Sequence, residues 1–143
     1  MRSSYTTLMQ SKYYNPAFNS AIFDGPVRIY FAQFHEALAL KIYFLIQQKL
    51  EAEMSRAKDM SRASGANILV MIYPTEESFL LSYEKSVPGG APIEVERWQE
   101  DIMVGLRGPI ADENLDLLLE TLRETMRSWR PAPLSPVSAP AEL

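Results

Sequence analysis

From Ile68 to Tyr73 the chain reads Ile-Leu-Val-Met-Ile-Tyr, with no charged residue to interrupt it. A strand with one wet face alternates apolar and polar residues. An unbroken apolar run bounded by turn residues is instead the pattern of a central strand covered on both faces. Such a strand needs helices above and below it, which points to an α/β architecture.

The flanking segments supply candidates for those layers. Val27-Arg28-Ile29-Tyr30-Phe31 places Val27, Ile29 and Phe31 on one face at the period of a strand. From Phe34 the period changes: Phe34, Leu38, Ile42 and Leu45 form one stripe, and Tyr43, Ile46, Leu50, Met54 and Ala57 a neighbouring one. This predicts one long helix running to a glycine cap at Ser64-Gly65. Its first half is apolar almost all round, whereas after Gln47 charged residues dominate and the stripe narrows to Leu50, Met54 and Ala57. The second half is therefore expected to project toward solvent or a partner.

After the central strand, Thr75 can cap a short helix that has acids in its first turn and Phe79, Leu80 and Tyr83 on one side. Phe79, Leu81 and Tyr83 also alternate as a strand would; the cap favours the helix. Pro88-Gly89-Gly90-Ala91-Pro92 breaks the chain, and Ile93–Arg97 and Ile102–Leu106 then flank the polar turn Gln99-Glu100-Asp101 as a hairpin. The last helix is marked by Leu115, Leu118, Leu119, Leu122, Met126 and Trp129, with acids early and arginines late.

A length of 143 residues, 47% of them hydrophobic, is sufficient for one domain. Residues 1–25 read as a polar arm rich in aromatic rings, residues 26–130 as the domain, and residues 131–143, with four prolines, as a disordered tail. A formal charge of -4 argues against nucleic acid as a partner. The first twenty residues lack the apolar core of a signal peptide, and the run from Ala37 to Ile46 is too short to span a bilayer. A cytoplasmic protein without a membrane partner is expected. With no cysteine and one histidine, disulfides, iron–sulfur clusters and thiolate zinc sites are excluded, and neither a metal nor a cofactor is expected.

The order strand, helix, strand, helix, strand, strand, helix between Val27 and Arg130, the Gly90-Ala91-Pro92-Ile93 entry to the hairpin and the Gly105–Gly108 exit resemble the thioredoxin-like superfamily. The long first helix and the Gly-Ala-Pro-Ile-Glu-Val run are most similar to thioredoxin-like ferredoxins. The resemblance implies a three-layer βαβαββα sandwich, with Pro92 cis and facing the active-site edge. Where thioredoxins carry a Cys-x-x-Cys pair, this chain has Gln33-Phe34-His35-Glu36-Ala37, so thiol chemistry is absent.

Two groups of residues are candidates for function. Gln33, His35, Glu36, Pro92 and Arg107 would meet at the edge equivalent to that active site, as a ligand or partner surface. Tyr13, Tyr14 and Phe18 on the arm, with Leu50, Met54 and Ala57 on the projecting helix, are expected to form an interface with a protein partner or in a homodimer. The favoured function is a non-catalytic, redox-inactive interaction, scaffold or regulatory module. The alternatives are a small acidic chaperone or adaptor of α+β fold, preferred if residues 75–86 form a strand, and a cysteine-independent enzyme. The enzyme reading requires His35, Glu36 and Arg107 to converge on one pocket.

Overall fold

A computed structural model describes residues 4–108 and 112–130. The expectation for the tail, residues 131–143, lies outside the described residues. Five strands are formed: β1 (Ser20–Asp24), β2 (Val27–Phe31), β3 (Ile68–Ile72), β4 (Ile93–Trp98) and β5 (Asp101–Leu106). The helices are α1 (Ser4–Met9), α2 (Glu36–Lys49), α3 (Glu51–Ser64), α4 (Glu76–Ser82) and α5 (Glu113–Ser128), with a 3₁₀ turn at Gln33–His35 before α2. The sheet order is β1-β2-β3-β5-β4, so the Ile68 run lies at the centre, as its composition demands. Strands β2, β3 and β5 are parallel, and β1 and β4 are antiparallel edges. The chain is thus mixed α/β.

Side-chain alternation divides the interior into two cores. Val27, Ile29, Phe31, Ile68, Val70, Ile72, Ile102, Val104 and Leu106 face α2, α3 and α5. Tyr30, Leu69, Met71, Tyr73 and Met103 face the other way, toward Leu8, Tyr13, Phe18, Phe79 and Tyr83. The second layer is therefore supplied by α4 and by the amino-terminal segment expected as an arm. Its Asn15-Pro16-Ala17-Phe18 stretch is a turn held by Asn15, whose Oδ1 accepts from the Ala17 N–H at 2.8 Å and whose carbonyl accepts from the Phe18 N–H at 2.9 Å. The segment ends in β1, which joins β2 across Gly25-Pro26; a φ of 58° at Gly25 before a proline suits a tight hairpin.

The single long helix expected from Phe34 to Ser64 is two helices. At Leu50 the backbone leaves helical geometry (φ -120°, ψ 29°), and α3 turns away to pack against α5. The change of direction takes the narrowed stripe into the core instead of into solvent: Leu50, Met54 and Ala57 are all buried. The charged residues of α3 then serve this packing. Arg56 donates to the Met126 carbonyl and, at 3.1 Å, to that of Trp129, capping the end of α5. Glu53 pairs with Arg127 at 3.0 Å and Arg123 at 3.7 Å.

Residues 76–82 are helical, as the cap predicted. Ser78 N–H donates to Thr75 Oγ1 at 3.1 Å and Thr75 N–H to Ser78 Oγ at 3.3 Å, a reciprocal capping box. The hairpin turn is shorter than expected, with Gln99 at φ 57° and Asp101 already the first residue of β5. Asp101 is buried and accepts from the Asn67 N–H at 2.9 Å, which fixes the entry to β3 against β5.

Candidate functional site

In open α/β sheets ligands bind beyond the carboxyl ends of parallel strands, because the loops there carry free backbone groups and helix starts. Here that edge carries Gln33, His35 and Glu36 after β2, Pro74 and Thr75 after β3, and Arg107 and Gly108 after β5. The topology brings the expected residues to one end of the sheet but does not turn their side chains onto one point.

Arg107 is committed to the fold. Its guanidinium donates to Glu76 Oε2 at 2.6 Å and twice to the Ala91 carbonyl, at 3.0 and 3.1 Å, while lying 4.7 Å from the Phe79 ring centre. It ties α4 to the loop before β4 and is largely buried, so a partly desolvated ion pair is the reason for its position. The Arg107 N–H donates to the Pro92 carbonyl at 2.8 Å, a further contact that holds this loop on β5. Gly108 approaches Tyr73 so closely that a Cβ there would stand 2.0 Å from the Tyr73 carbonyl oxygen. That contact leaves no space between the ends of β3 and β5.

On the β2 side, Gln33 is exposed and its N–H donates to Asn19 Oδ1 at 3.0 Å. Glu36 is exposed at the start of α2. The His35 ring packs on Phe34 with 4.5 Å between centres, and its Nδ1 is buried without a hydrogen-bond partner. Burial lowers its pKa from the ordinary 6.5. In the unfolded chain His35 protonates near 6.5, while in the folded chain it resists, so stability is full above that pH and declines as pH falls through the region below it. We expect urea midpoints to fall between pH 7 and 5, and expect His35→Gln to flatten that slope; an unaltered slope would remove His35 as its source.

The second layer is dense in aromatic rings joined by hydroxyl groups. Tyr73 Oη donates to the Tyr13 carbonyl at 2.7 Å, and Tyr13 Oη to Glu96 Oε1 at 2.6 Å. Burial, reinforced at Tyr13 by the Glu96 bond, pushes both hydroxyls well above their usual range, and burial does the same for Tyr83. They stay protonated at neutral pH and can donate but not act as bases.

The expected interface residues are mostly inside. Tyr13 and Phe18 belong to the second core and Leu50, Met54 and Ala57 to the first; Tyr14 is partly buried against the second. What stands exposed is a different set. Leu40 and Phe44 are 40% and 58% exposed, four residues apart on the outer face of α2, and Phe34 ahead of them is 72% exposed. The all-round apolar character of this half of the helix is their signal in the sequence. Phe23 on β1 is 56% exposed beside a shallow groove of about 210 Å³ lined by Phe18, Asn19, Ser20, Ala21, Phe23 and Tyr30.

Among the described residues no cluster of three or more His, Asp or Glu could hold a metal ion, and no helix is long and apolar enough to cross a membrane. No protein-family model matches the chain, and comparisons with curated proteins and with solved structures give no match.

Proposed function

We propose that the chain is a non-catalytic, redox-inactive protein-interaction module that binds through the outer face of α2. The observation that carries this reading is the exposure of Leu40 and Phe44 on one helical face, with Phe34 beyond the helix start. Full burial of a large apolar side chain is worth roughly 1.5–3 kcal/mol relative to water, and a partner that covers these half-exposed side chains recovers a part of it. The enzyme reading lacks its required convergence, since Arg107 is held by Glu76 and Ala91. The α+β adaptor reading depended on a strand at residues 75–86, where α4 lies instead. A thioredoxin-like relationship, with redox silence explained by the absence of cysteine, is supported by the order of elements from Val27 onward; the pairing of β3 with β5 is no part of that support.

The test is affinity capture from native lysate with the full chain and with Leu40→Lys, Phe44→Lys. Both positions are exposed, so the variant should retain the wild-type circular dichroism. At least about a tenfold loss of every specifically captured protein is expected, equivalent to ~1.4 kcal/mol. Undiminished capture by a folded variant would place binding elsewhere.

A further inference from the structure

Among the described residues, the outermost strand β1 has a hydrogen-bonded neighbour on one side only. Natural edge strands are guarded by lysine, proline, bulges or a covering element. Between Ser20 and Asp24 there is no lysine and no proline, and the single charge, Asp24, stands at the end. The face pointing away from α2 presents Ala21 and Phe23, both exposed, with the groove between Phe18 and Tyr30 beside them.

We propose that β1 pairs antiparallel with β1 of a second copy of this chain about a two-fold axis at Ile22, joining two five-stranded sheets into one. The proposal goes beyond the reading of the α2 face: it names a second surface, the β1 edge, and its occupant, a second copy of the chain. Register follows from the side chains. An antiparallel pair centred on Ile22 sets Ser20 opposite Asp24 and Ala21 opposite Phe23. Each exposed Phe23 then lies over the Ala21 of the other copy, in the groove that Phe18 and Tyr30 flank. Across one face the order becomes Arg28, Phe23, Ala21, Tyr30, since Phe23 already pairs with Arg28 and Ala21 with Tyr30. The arrangement is self-complementary, as an isologous contact must be.

Charge favours the antiparallel orientation. A parallel in-register pair would set Asp24 against Asp24, whereas the antiparallel pair moves the two carboxylates to opposite ends, each facing a Ser20 hydroxyl. Area makes a further demand. A stable dimer buries roughly 800 Å² on each partner, more than a short strand edge supplies alone. Helix α2 packs across β1 and β2. Centred between strands spaced about 4.8 Å apart, it would lie about 10 Å from its copy across the axis, within the range of packed helices. Burial of the Phe23 pair and of the adjoining flanks of α2 supplies the remaining area.

Sedimentation of the full chain over a concentration series is expected to give a dimer of twice 16.2 kDa. Phe23→Lys should raise the dissociation constant at least about tenfold while preserving the circular dichroism. Because the native chain has no cysteine, a single Ile22→Cys substitution reports the axis directly. Facing Cα atoms in an antiparallel pair lie about 4.5–5.5 Å apart, within disulfide reach, so mild oxidation should give a covalent dimer in high yield. A matched Leu117→Cys control, exposed on α5, should not cross-link. A monomer at all concentrations, or a dimer indifferent to Phe23→Lys that fails to cross-link through residue 22, would overturn the proposal. Capture of other proteins that still depends on Leu40 and Phe44 would then leave the interaction module standing without self-pairing.

Discussion

The double variant Leu50→Glu, Met54→Glu is expected to lose cooperative unfolding altogether. Leu50 is fully buried at the junction of α2 and α3, and Met54 is buried one turn later among the same core residues. Truncating a buried Leu or Met already costs about 2–5 kcal/mol, and a carboxylate in the same place must in addition be desolvated without a partner or protonated. Two such changes consume most of the ~5–15 kcal/mol by which a domain of ordinary stability is folded. Circular dichroism against temperature and urea should show a broad, non-cooperative change and loss of near-ultraviolet signal. A sharp transition near that of the parent chain, accompanied by a smaller particle mass, would restore these residues to the surface and to an interface.

The second large effect is expected at Gly105. Its position one residue before the end of β5 places it under the Tyr83 ring, and a Cβ there would stand 2.3 to 2.7 Å from the ring carbons and hydroxyl oxygen. Tyr83 cannot easily retreat, because it is fully buried, stacks on Phe79 at 5.2 Å and packs against Tyr13 and Tyr73 at 5.1 and 6.0 Å. Gly105→Ala should therefore destabilise the fold by ~1–3 kcal/mol through overpacking. Tyr83→Ala alone should cost ~3–5 kcal/mol by opening a cavity. In the double variant the methyl group enters space that the ring has vacated. Its loss should be smaller than the sum of the singles, with a coupling of roughly 0.5–3 kcal/mol measured from urea unfolding. Strict additivity would show that ring and glycine do not compete for the same volume.

Much of the fold is legible in residue order because each reading rests on a local period. The unbroken run at Ile68 marks the central strand, alternation marks β2, and the stripe from Leu115 to Trp129 marks α5, every member of which is buried. Thr75, as a cap ahead of acids in the first turn, marks α4, and the structure closes that cap into a box with Ser78. The reading failed where the deciding interaction was distant. The break at Leu50 has no glycine or proline to announce it; past it Leu50, Met54 and Ala57 enter the first core and Arg56 and Glu53 meet the end of α5, about seventy residues further along. Tyr13 and Phe18 could be recognised as adhesive, but not as adhesive to Tyr73 and Tyr83 of their own chain.

The candidate site divides in the same way. That His35 and Arg107 would reach one end of the sheet follows from strand order, whereas the orientation of their side chains depends on Glu76, Ala91 and Phe34. By itself, the sequence determined β2 to β5, α4 and α5 and that a central strand would be buried on both sides, because propensity and hydrophobic period act within a few residues; α1, β1 and the break between α2 and α3 were decided by the tertiary structure. The tertiary structure decided which apolar residues form the core and which stay exposed: Leu50, Met54 and Ala57 went inside, and Leu40, Phe44 and Phe23 stayed in water. The physical reason is that burial depends on what lies across a gap in space, and the elements that close these gaps come from distant parts of the chain.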